Sequence, residues 1–119
     1  MPSSRICVDA NLVVRLVADP KDEVVIRLWD QWDAEKCQQA APALLYYEVT
    51  NALYRYQRQG LMSAAAAQAA LTAALALSIQ LHDEAGLHER VLNLAERLSL
   101  SAAYDAHYLA LAEQMQVDF

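Results

Sequence analysis

A chain of 119 residues with 56% apolar content has the size of one domain built on one core. Two glycines and three prolines exclude a long flexible linker by composition. The formal net charge of −6 argues against a simple basic nucleic-acid binder, whose phosphate contacts need Lys and Arg. It leaves room for a nuclease whose acids are occupied by a divalent metal.

Cys7 and Cys37 form neither a CxxC pair nor a disulfide framework, so they read as reduced thiols of a cytoplasmic protein. The first apolar stretch is broken by Asp9 and Arg15, which does not fit a signal peptide. Residues 64–79 are apolar but mostly alanine, with Gln68, Thr72 and Ser78 among them. They fall short of the roughly 18 strongly apolar residues of a spanning helix. The expectation is a soluble protein with no membrane partner.

In chain order, Arg5-Ile6-Cys7-Val8 leading into Asp9 reads as a buried parallel strand that delivers a carboxylate at its C-terminal end. Residues 12–17 fit a short helix, capped by Asn11 or Asp9 and stopped by Pro20. Residues 22–36 have amphipathic spacing, with Asp22 and Glu23 suited to a first turn. A short strand over 38–41 ends at Pro42, and a long helix over 43–59 is stopped by Gly60. Ser63 is placed to cap an alanine-rich helix reaching about Leu77. Residues 78–82 alternate like a strand, and 83–98 carry apolar residues at helical spacing. Ser101 is a candidate cap for a last helix over 104–115, and a further strand would begin at 116–119. Strands alternating with helices predict one α/β domain over 1–119 with a central parallel sheet.

Most of the 15 acids lie among polar neighbours and read as solvated. Three do not: Asp9 follows Ile6-Cys7-Val8, Glu48 follows Leu44-Leu45-Tyr46-Tyr47, and Asp105 lies between Tyr104 and Ala106. Glu48 is expected about one and a half turns into its helix, with Asn51, Ala52 and Arg55 on the same side. Asp105 falls near a helix start, where the dipole favours negative charge. Carboxylates brought close together need protons or a cation. Oxygen-only ligands point to Mg²⁺ or Mn²⁺ rather than zinc.

Val8-Asp9-Ala10-Asn11, then Tyr47-Glu48-Val49-Thr50-Asn51-Ala52-Leu53, then Tyr104-Asp105-Ala106-His107-Tyr108-Leu109-Ala110-Leu111-Ala112-Glu113 resemble, in order and spacing, the motifs of PIN-domain ribonucleases. Within that family the likeness is to the toxin of VapBC-type toxin–antitoxin pairs, and it covers essentially the whole chain. The resemblance implies a three-layer α/β/α fold and Mg²⁺- or Mn²⁺-dependent endonucleolytic cleavage of RNA. It makes Asp9, Glu48 and Asp105 the catalytic metal-site carboxylates, with Asn11 assisting. It also implies a homodimer and an antitoxin protein whose C-terminal segment enters the active-site groove.

Such domains usually carry a fourth acid in a Thr-x-Asp segment after one more strand. This sequence ends at Phe119, where that strand would start, and Asp118 is not the equivalent residue. The expectation is therefore a domain short of its last strand, with an open sheet edge beside the first. A non-catalytic PIN-like module serving protein binding or oligomerisation is the alternative reading.

Arg55, Arg58 and Arg15 are candidate RNA contacts, with Tyr54 or Tyr56 as a base-stacking surface. His82, His88 and His107 are scattered and read as structural or exposed, although Glu84 and His88 have helical i, i+4 spacing. Trp29 and Trp32 read as core or interface.

Overall fold

The computed structural model describes residues 4–19 and 21–116. Across them the chain runs β1 (Arg5–Cys7), α1 (Ala10–Ala18), α2 (Glu23–Ala34), β2 (Gln38–Pro42), α3 (Leu45–Arg58), α4 (Ala64–Leu75), β3 (Gln80–His82), α5 (Ala85–Arg97) and α6 (Tyr104–Met115). The three strands form a parallel sheet in the order β1-β2-β3. Ile6 pairs with Gln39 and Cys7 with Ala40, while Ala41 pairs with Leu81 and Pro42 with His82. Each parallel crossover is carried by helices, as the alternation of patterns predicts.

Burial follows position in the sheet. Central β2 is buried from Gln39 to Pro42, whereas β1 is buried only at Cys7 and β3 is largely exposed. The reading of β1 as a fully buried strand is thus corrected. With β2 as its one neighbour among the described residues, Arg5 is exposed and Ile6 half-covered. The strand expected at 116–119 falls mostly outside the described residues, as does Pro20. Gln116, which is described, ends α6 in a left-handed conformation with φ 57°.

Helix starts follow the local chemistry closely. The Asp9 carboxylate accepts from Leu12 N–H at 2.9 Å and caps α1, Asp22 does the same for α2 through Val25, and Ser63 for α4 through Ala66. Gly60 at φ +74° ends the turn after α3, where a Cβ would be strained. Ser101 caps nothing: α6 begins at Tyr104 behind Ala103, which has no side chain to bond, so the serine lies too far upstream.

The core is gathered by Val8, Val13, Leu45, Val49, Leu87 and Leu111, all essentially buried. Helices α1, α3 and α4 pack on one another, α5 packs on α6, and α6 lies against β1 and β2. Trp29 is buried and meets half-buried Trp32 edge-to-face at 5.6 Å, which makes the pair part of the core. Helix α4 buries the small residues Ala67, Ala70 and Ala74, with Leu71 packed half-buried against the core, and the Ala74 carbonyl accepts from Tyr46 Oη at 2.8 Å. Small residues let three helices approach closely, so the site has no volume to spare. Ala74→Leu is expected to cost about 1–3 kcal/mol in urea denaturation, and Ala69→Leu, on the exposed side, well under 1.

Candidate active site

Three helix beginnings contribute to one cavity of about 340 Å³, lined by Asp9, Ala10, Asn11, Glu48, Asp105, Tyr108 and Leu109. Asp9 is the cap of α1, and Glu48 and Asp105 lie in the first turns of α3 and α6. Each carboxylate therefore stands at the positive end of a helix dipole, which offsets part of the repulsion among them. The expected depth of Glu48 in its helix is corrected: Ala43 and Leu44 form a turn after Pro42, so α3 starts at Leu45 and Glu48 is in its first turn.

Burial differs among the acids. Asp9 and Glu48 are half-buried, and Asp105 is exposed at the cavity's rim. Leu12 N–H occupies Oδ1 of Asp9, and Tyr108 Oη donates to Oε1 of Glu48 at 2.5 Å. The second oxygen of each carries no hydrogen bond among the described residues. The donor set is all oxygen and suits a hard dication. The spacing is more open than direct ligation by all three requires: among the described residues no three His, Cys, Asp or Glu stand close enough to hold one ion. Binding one cation through all three would need them to draw closer together.

Tyr108 was not singled out by the sequence. It lies three residues after Asp105, on the same side of α6, and is buried. A buried phenol needs an acceptor, and here that acceptor is Glu48. Burial, the hydrogen bond to Glu48 and the Glu48 and Asp9 charges all push the Tyr108 hydroxyl upward, so it stays a donor across the working pH range. Cys7 Sγ lies 3.7 Å from the Tyr108 carbonyl oxygen. Burial first, then the Asp9 charge, push the Cys7 thiol up to about 12.

A second hollow of about 500 Å³ adjoins the first and shares Glu48 and Asp105 with it. Its walls include Tyr47, Asn51 and Tyr104, and both tyrosines are exposed. The arginines stand elsewhere. Arg15 is ion-paired with Asp22 at 2.8 Å, which holds the Asp22 carboxyl below its usual range. Arg58 lies over the Tyr54 ring at 6.0 Å, and exposed Arg55 lines neither hollow. Tyr56 packs half-buried against the core, which leaves Tyr54 as the exposed member of that pair.

No protein-family model matches the chain, and no curated protein matches it significantly in sequence.

Two outcomes test this geometry. Tyr108→Phe is expected to lower stability by about 1 kcal/mol, since Glu48 regains water in part; an unchanged unfolding midpoint would remove the bond from the account. Because a thiol raised to about 12 holds its proton at pH 8, Cys7 should resist a disulfide reagent there and react only on unfolding. Half-buried Cys37 should react first.

Proposed function

We propose that this domain is a PIN-type, metal-dependent endoribonuclease acting as the toxin of a type II toxin–antitoxin pair. The observation that carries the reading is the single cavity walled by Asp9, Glu48 and Asp105, each at a helix start, with Asn11 beside them. An oxygen-lined site of this kind suits Mg²⁺ or Mn²⁺, which when bound activates water and offsets charge on the transferring phosphoryl group.

The chain's own groups would divide the remaining work. Asp9 and Glu48 each keep one oxygen for the metal, while the helix cap and Tyr108 fix the orientation of the other. Asp105, exposed at the rim, closes the site from the side open to solvent. The Asn11 amide can bond a phosphate oxygen or a metal-bound water. Exposed Tyr47 and Tyr104, in the adjoining hollow, offer faces on which unpaired bases stack, which favours a single-stranded segment. An antitoxin and a second copy of this chain are the protein partners that the reading carries.

A non-catalytic PIN-like module is the second reading, favoured by the open spacing of the three carboxylates. The two separate on one substitution. Asp9→Asn keeps a capping side chain, so the fold should hold within about 1 kcal/mol. Mn²⁺-dependent cleavage of single-stranded RNA should fall at least about a hundredfold. Undiminished cleavage by Asp9→Asn contradicts the mechanism, and no cleavage by the wild type with either metal favours the module.

A further inference from the structure

His88 of α5 and His107 of α6 are nineteen residues apart in sequence and stand side by side in the fold. His88 Nε2 lies 2.7 Å from Asp83 Oδ1, so that nitrogen carries a proton and donates to the carboxylate. His107 Nδ1 lies 2.9 Å from the Ala103 carbonyl oxygen and donates in the same way. In two neutral rings these donations use both protons. The remaining nitrogens, His88 Nδ1 and His107 Nε2, are then bare lone pairs facing each other at 3.4 Å. Two acceptors in that position repel, and an electrophile between them, a proton or a metal ion, removes the repulsion.

The spacing accommodates an ion. The ring centroids are 5.3 Å apart with planes at 73°. Two imidazoles on one tetrahedral ion, at metal–nitrogen distances of about 2.05 Å, have nitrogens about 3.35 Å and centroids about 5.2 Å apart. The outer hydrogen bonds also fit: a metal-bound histidine donates its other N–H to a carboxylate or a backbone carbonyl, as Asp83 and Ala103 accept here. The side chain of His88 is half exposed, so an ion has access.

We propose that His88 Nδ1 and His107 Nε2 bind one borderline transition-metal dication of the Zn²⁺ class, with Asp83 orienting His88. The protein supplies two ligands, in keeping with the absence of any three-residue metal group among the described residues, and water completes the tetrahedron. The ion joins α5 to α6, the helix that carries Asp105 and Tyr108. The site uses nitrogen donors and stands apart from the carboxylate cavity in both residues and metal preference.

The test is titration of the full chain with Zn²⁺ at neutral pH, in excess Mg²⁺ so that oxygen sites are filled. One Zn²⁺ per chain is expected, with a higher melting temperature, and Co²⁺ should show tetrahedral ligand-field bands. His88→Gln, at an exposed position that tolerates substitution, should abolish the bands and the thermal shift. Asp83→Asn should weaken Zn²⁺ binding about tenfold or more. Binding by His88→Gln equal to wild type overturns the proposal. No Zn²⁺ uptake by the wild type also overturns it, and leaves a shared proton as the bridge. Asp9→Asn should bind Zn²⁺ unchanged, so this result and that of the nuclease test are read separately.

Discussion

The hydrogen bond from Leu12 N–H to the Asp9 carboxylate is the constraint on which the rest of the site depends. It sets where β1 gives way to α1, and so fixes the carboxylate just past the C-terminal end of a parallel strand, where open α/β sheets place their ligand sites. One oxygen is used for the cap, and the carboxylate also lines the cavity. A residue that both starts a helix and lines a cavity cannot be optimised for either alone. Asp9 sits half-buried, with Cys7 and Tyr108 near enough to feel its charge.

The second constraint is the bond between Tyr108 and Glu48, which ties α6 to α3 across the cavity. Helix α6 lies on β1 and β2, so this bond indirectly relates Glu48 to the strand behind Asp9. Asp105, exposed at the rim, has no such tie among the described residues. Asp9 and Glu48 are held by hydrogen bonds, Asp105 is exposed, and the helix dipoles lower the repulsion among the three.

Much of the local structure was legible in the sequence, because caps and breakers act over a few residues. Ser63 and Gly60 each do what their position suggested, while Asp22, expected in the first turn of α2, stands one residue earlier as its cap. The burial of β1 and the depth of Glu48 were misjudged for non-local reasons: a strand's burial depends on neighbours in the sheet, and the bond from Ala43 N–H to the His82 carbonyl carries the pairing with β3 past Pro42, so that α3 starts two residues later. The three carboxylates stood out as acids in apolar company. Tyr108 did not, since a tyrosine among alanines and leucines looks like core until its acceptor is placed. The pairing of His88 with His107 is equally a product of α5 packing on α6. Arg15, taken alone as a phosphate contact, proved to have its counter-ion in Asp22.

The central claim is that Asp9, Glu48 and Asp105 act together on one hard cation, and direct binding of Mn²⁺ tests it without reference to substrate. Electron paramagnetic resonance should show one saturable Mn²⁺ per wild-type chain, displaced by Mg²⁺ and weakened at least about tenfold in Glu48→Gln and in Asp105→Asn. Mn²⁺ binding that is absent from the wild type, or unaffected by both substitutions, would contradict it.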